Sequence, residues 1–156
     1  MIFAMPANVK YTLAALSTLA FLAGCSAEPQ DDRPGQPVKM RQTAFKEILR
    51  SFEPMGVMLR KNRYNAAEFL ALANEVASKR DAPWRHFGPD TNYPPTKATP
   101  AVWEQPDRFE RDRAAFFQAV DALLIAAQTK DRKQVEAPYQ AVHDACQECH
   151  RTFKKR

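Results

Sequence analysis

The sequence predicts an all-α domain, an antiparallel bundle of four helices. Three observations carry that prediction. Only four glycines occur in 156 residues, so little of the chain suits the tight turns of hairpins. The apolar residues recur at three- and four-residue spacings instead of alternating, the pattern of helices buried along one face. The breaks between these runs leave one long and two short connections, which fold successive helices back on one another.

The first 24 residues stand apart from the bundle. Lys10 is their lone positive residue and precedes an apolar run from Tyr11 to Gly24. The run is shorter than the ~20 residues a membrane span requires, and it suits the core of a secretory signal peptide. It closes on Leu22-Ala23-Gly24-Cys25, which resembles the bacterial lipobox, cut just before a cysteine that becomes the lipidated first residue. Cys25 is therefore the expected lipid attachment point. Ser26 follows it instead of an aspartate, which by analogy favours the outer membrane over the inner one. Residues 25–38 hold Pro29, Pro34, Gly35, Pro37 and the pair Asp31-Asp32, a composition that predicts a flexible tether. One domain by length remains over 39–156.

Within that domain, Phe45, Ile48, Leu49, Phe52 and Leu59 mark one face of a first helix. Pro54 and Gly56 interrupt it, so a kink is expected there. Asn65 is the expected N-cap of a second helix, whose stripe is Ala66, Phe69, Leu70, Ala73, Val76 and Ala77. A proline-rich connection follows from Asp81 to Gln105 and includes Trp84 and Trp103; loops of that length usually have a purpose. The third helix opens near Asp107, carries Phe109, Phe116, Val120, Leu123, Leu124 and Ala127, and ends before Asp131. The last runs from Arg132 to Lys154, with Val135, Val142, Cys146, Cys149 and Phe153 on one side and Pro138 in its first turns. Met55, Met58, Leu59 and Leu72 are assigned to the outer faces of the first two helices, and a homodimer paired through those faces is expected.

Lys and Arg number 23 against 18 Asp and Glu, a net charge of +5. The basic residues do not interleave with aromatics in any nucleic-acid motif, so no nucleic-acid partner is expected. The surplus suits an acidic electron-transfer partner.

Cys146-Gln147-Glu148-Cys149-His150 is the most informative run in the chain. C-x-x-C-H is the attachment signature of covalent c-type haem. Two thiols three residues apart reach the two vinyl groups of one haem, and the adjacent imidazole meets the iron. Three other readings stand beside it: a redox dithiol, a zinc site of Cys146, Cys149, His143 and His150, and two buried cysteines on a helix. A dithiol of the thioredoxin type needs a strand–turn–helix setting, and no strand pattern lies near residue 146. With Cys25 taken by lipid and Cys146 and Cys149 by one haem, no thiol is left over. Haem attachment of this kind occurs outside the bacterial inner membrane. The domain is therefore expected in the periplasm, held to a membrane by its lipid alone.

The domain resembles the class II c-type cytochromes, the cytochrome c′ family. The resemblance lies in Arg41-Gln42-Thr43-Ala44-Phe45, in Pro83-Trp84 with His86-Phe87-Gly88-Pro89, in Pro100-Ala101-Val102-Trp103, and in the C-terminal pentad with Phe153 and Lys154. It implies a four-helix bundle, as that family exemplifies. It implies that His150 is the axial iron ligand and that Cys146 and Cys149 are the thioether anchors. Arg41 and Gln42, which spacing alone leaves on the solvated face of helix one, come by the resemblance beside a haem propionate. Lys154 comes beside the proximal imidazole.

Phe45 falls where the family covers the sixth coordination position of the iron. It has no donor atom, so the resemblance implies a five-coordinate haem that binds small neutral diatomics, nitric oxide and carbon monoxide. A periplasmic redox partner for one-electron transfer is a further expectation, and a six-coordinate electron carrier is the alternative. Peroxidase chemistry wants polar distal residues, which Phe45 does not supply; the chain is not expected to be an enzyme.

Overall fold

The computed structural model describes residues 30–155. Among these, helix α1 spans Pro37–Arg60, α2 Ala66–Lys79, α3 Ala101–Glu104, α4 Pro106–Gln128 and α5 Arg132–Phe153, with a single turn of 3₁₀-helix at Trp84–His86. The four long helices pack in a ring, α1 on α2, α2 on α4, α4 on α5, and α5 back on α1. No strand occurs among the described residues, only an isolated antiparallel bridge between Ala98 and Lys154.

The local signals act as their chemistry requires. Asn65 accepts a hydrogen bond from the Glu68 backbone N–H at 3.1 Å, capping α2. Asp131 does the same for α5 through Lys133 N–H at 2.9 Å. The core faces are Ile48, Phe52 and Met55 on α1, Phe69, Ala73 and Val76 on α2, Phe116, Val120 and Leu123 on α4, and Val135 and Val142 on α5. Burying each large apolar side chain contributes about 1.5–3 kcal/mol.

Two details differ from expectation. Helix α1 runs through Pro54 to Arg60, and Met55 and Met58 on it are in the core, 0% and 7% exposed, instead of on an outer face. The reason is spacing: Ile48, Phe52, Met55 and Met58 share one helical stripe. The exposed apolar side chains of α1 are Met40, Leu49 and Val57, and the dimer surface expected from the two methionines loses its basis.

The second difference is at the start. Helix α1 begins at Pro37, and the segment ahead of it is tied to the domain by Asp31 and Arg33. Asp31 is 1% exposed. One of its carboxylate oxygens accepts from Val38 N–H at 2.8 Å and Lys39 N–H at 3.1 Å. The other accepts from the Tyr93 hydroxyl at 2.8 Å and Arg33 N–H at 3.3 Å. Gln36, the residue before the helix, makes no side-chain cap; Asp31 caps α1 from farther back, where negative charge also suits the helix dipole. The second half of the expected tether is thus part of the fold. Cys25 and the signal segment lie outside the described residues.

Helix α2 has 14 residues against 24 in α1. The difference of ten residues is about 15 Å of missing helix at 1.5 Å per residue. The long connection fills that gap at the end of the bundle where α1 begins and α5 ends.

Candidate functional site

The site sits where α1 and α5 face each other. These helices run antiparallel, because Arg132 at the start of α5 donates to the carbonyl of Leu59 near the end of α1 at 3.4 Å. Phe52 and Tyr139 stack across the seam with centroids 4.5 Å apart and 11° between planes. Seven residues are about 10.5 Å of helix. Stepping back seven on α1 and forward seven on α5 brings Phe45 level with Cys146. A further four brings Arg41 level with His150.

Cys146 and Cys149 are free thiols on the inner side of α5. Cys146 packs against the large core cluster. Cys149 packs against a smaller one formed by Ala98, Val102, Phe109 and Phe153. Trp84 touches both clusters. An aromatic cavity of about 270 Å³ opens among Trp84, Phe87, Val102, Trp103 and Phe109, and Val102 and Phe109 belong to the cluster that Cys149 packs against.

Burial pushes the Cys146 thiol up to about 11. It pushes Cys149 up to about 12, with Asp112 and Cys146 adding to the rise. Asp112 was not singled out from the sequence. One of its carboxylate oxygens is buried without a hydrogen-bond partner, and only the packing of α4 on α5 reveals it. Thiols so strongly held in the protonated form do not suit a redox dithiol, which works through a thiolate. His143 lies on the exposed side of α5 beside Gln140 and Asp144. No three His, Cys, Asp or Glu side chains converge among the described residues, so the four-ligand zinc arrangement is not formed.

His150 is exposed. Partial burial, and then the positive charge of Lys154 one turn on, holds its pKa below the ordinary histidine value. That favours the neutral imidazole, the form that ligates a metal. Lys154 itself ends α5 in an extended conformation. Two half-buried thiols three residues apart on α5, with an imidazole on the adjoining residue, are the donor set that covalent haem requires. The residues present fit that cofactor.

Phe45 is half-buried and meets the ring of Trp84 edge-on at 5.5 Å and that of Phe87 at 6.3 Å. Such pairs add about 0.5–1.5 kcal/mol beyond area burial. His86 is in the same turn, with its carbonyl held by Arg41.

Arg41 is 3% exposed, so the solvated-face reading of its position does not hold. Its guanidinium donates to the carbonyl of His86 at 3.0 Å and the hydroxyl of Thr91 at 2.8 Å. It also donates to the carbonyl of Thr91 at 2.9 Å and the hydroxyl of Thr96 at 2.5 Å. Its guanidinium carbon lies 4.6 Å from the Phe87 ring centroid, within cation–π range. Gln42 donates to the carbonyl of Pro95 at 3.1 Å. Both side chains of the Arg-Gln pair bind the long connection. A second connection tie comes from α5: Thr99 N–H donates to the carbonyl of Phe153 at 3.0 Å, and Lys155 N–H to that of Lys97 at 2.7 Å.

A second hollow, about 330 Å³, lies along the α1–α5 seam between Gly56, Leu59, Arg60, Glu136, Tyr139 and His143.

Residues 36–154 match the family model described as cytochrome C'. The chain is 33% identical over 132 residues to the cytochrome c' of Rubrivivax gelatinosus, covering 81% of this chain and all of that one. Its fold is similar to the cytochrome c prime structure from Shewanella frigidimarina, with a TM-score of 0.76, 28% identity, and coverage of 80% of this chain and 98% of that one. It is also similar to a ferrous variant of the Alcaligenes xylosoxidans protein with bound nitric oxide, with a TM-score of 0.75, 28% identity, and coverage of 80% and 98%. The chain belongs to the cytochrome c′ family.

Proposed function

We propose that the protein is a five-coordinate haem protein of the bacterial cell envelope that binds nitric oxide and carbon monoxide, anchored to a membrane through a lipid on Cys25. The observation that carries the reading is Phe45. It is level with Cys146 on the facing helix, it is backed by Trp84 and Phe87, and it has no atom that can bind iron. Structures of Alcaligenes xylosoxidans relatives with bound nitric oxide and bound carbon monoxide support the choice of ligand.

The cofactor, when bound, supplies an iron that takes up diatomics and exchanges one electron. The chain supplies everything around it. Cys146 and Cys149 would hold the ring through thioether bonds. His150, kept neutral by its setting, would be the ligand to the iron. Phe45 would cover the ligand-binding position, exclude water and offer no hydrogen bond, so ligands that need none would be favoured. Arg41 and Gln42, already spent on the connection, fix the wall of the pocket; a contact from either to a propionate is part of this proposal. Lys154 raises the local positive potential beside the imidazole.

The test is optical. The ferrous protein should be high-spin and five-coordinate and should bind both gases. Phe45→Ala should raise the carbon monoxide association rate about tenfold, equivalent to ~1.4 kcal/mol off the entry barrier. Phe45→Met should give six-coordinate, low-spin iron. A low-spin wild-type spectrum with a methionine–iron charge-transfer band would replace gas binding with electron transfer as the function.

A further inference from the structure

The Asp31 clamp fixes which end of the bundle meets the lipid. Asp31 is tied to α1 at Val38 and Lys39 and to the long connection at Tyr93. Cys25 is six residues earlier. A polypeptide spans at most ~3.6 Å per residue, so an acyl group on Cys25 lies within about 20 Å of Asp31 whatever the path between them. By the α1–α5 register, Val38 is three residues, about 5 Å, beyond the level of His150. The opposite end of the bundle, at Arg60 and Arg132, is more than 20 residues of helix away.

The charge at the clamped end points the same way. Lys39, Lys97, Lys154 and Lys155 are exposed there. The backbone pairing of residues 97–99 with 153–155 gathers three of them side by side. None of the ion pairs among the described residues uses any of the four. Exposed acids of this end, Asp32, Asp90, Glu104 and Asp107, form no ion pair with these lysines. Anionic headgroups attract such a basic patch within a Debye length of the surface.

We propose that the protein docks with its thiol-bearing end against the anionic surface of a phospholipid bilayer, held there by the Asp31 clamp and the lysines 39, 97, 154 and 155. The inference rests on the lipid-anchored, gas-binding reading above and adds an orientation to it. Neutral diatomics dissolve better in hydrocarbon than in water, so the site faces the phase in which its ligands concentrate.

The test uses the full-length lipidated, haem-loaded protein in vesicles of phosphatidylethanolamine and phosphatidylglycerol. Lysine acetylation by an activated ester is followed by mass spectrometry and compared with the same protein in detergent. Lys39, Lys97, Lys154 and Lys155 should react at least threefold more slowly on vesicles, while Lys61, Lys130 and Lys133 at the other end are unchanged. Uniform labelling, or protection of the other end, overturns the orientation and leaves the basic face to a protein partner. The mass of the Cys25 peptide in the same sample separates the two ideas: an unacylated Cys25 removes the anchor itself. Asp31→Asn should lose at least half the protection with an unchanged haem spectrum; full protection in that variant removes the clamp from the account.

Discussion

The two ends of the bundle are built by different means. At the end where α1 finishes and α5 begins, neighbouring helices are joined by short turns and capped by Asn65 and Asp131, each acting on a residue two or three positions away. Its packing is side chain on side chain, with Phe52 on Tyr139. At the opposite end, order comes from polar groups far apart in sequence. Arg41 reaches residues 45 to 55 positions away, and Asp31 reaches Tyr93 across 62. This end has an apolar cluster of its own around Phe109 and Phe153, but long-range hydrogen bonds hold its walls. Each end should therefore fail differently when perturbed.

The largest effect is expected at the thiols. Cys146→Ser together with Cys149→Ser should abolish covalent attachment, and acid–acetone extraction should then strip the haem completely. Wild-type protein should retain it.

Removing Arg41 tests the long-range walls. Arg41→Met strands four acceptors, two of them carbonyls of the connection. With a buried unsatisfied group costing ~1–3 kcal/mol, a loss of about 3 kcal/mol is expected in denaturant unfolding. The haem spectrum should change as well, because the wall behind Phe45 moves.

Gly56→Ala tests the other end. A Cβ at that position would overlap the Tyr139 hydroxyl and crowd Arg60. Overpacking of this kind costs about 1–3 kcal/mol. Here the haem spectrum should stay as it is while the unfolding midpoint falls, and a spectral change would blur the distinction between the two ends.

The smallest effect concerns acid. Burial alone would raise the Asp31 pKa, but the hydrogen bonds from Tyr93, Lys39, Arg33 and Val38 outweigh it and hold the carboxyl below its ordinary 3.8. A depressed folded-state value means stability that is present above the unfolded value and is lost as pH falls through the folded one. Melting temperatures measured downward from pH 5 should show wild type losing this increment below about pH 4. Asp31→Asn should lack it, so the two curves converge in acid.

The contrast also explains what could be read in advance. The helical stripes, the Asn65 cap, the position of the long connection and the haem pentad are short-range patterns, and each was legible. Met55 and Met58 were misplaced because which side of α1 turns inward is settled by its packing on the neighbouring helices, and that packing puts them in one cluster with Ile48 and Phe52. The roles of Asp31 in capping and of Arg41 in pinning residues 86–96 have no local signature. A carboxylate seven residues ahead of the N–H it caps resembles any acid in a linker. Asp112 faces Cys149 only because α4 packs on α5, and nothing in its own neighbourhood of sequence marks it.

A long connection between helices is ordinarily where a protein accepts insertions and deletions. This one offers little such freedom. The carbonyls of His86, Gly88, Asp90, Thr91, Pro95 and Lys97 are all engaged by partners elsewhere in the chain or across the loop, so there is rarely more than a residue or two of slack. A single extra residue there would shift every later pin off its partner. Descendants of this chain should instead vary in length at the α1–α2 turn, where Lys61, Asn62 and Arg63 are exposed, and keep the longer segment at constant length.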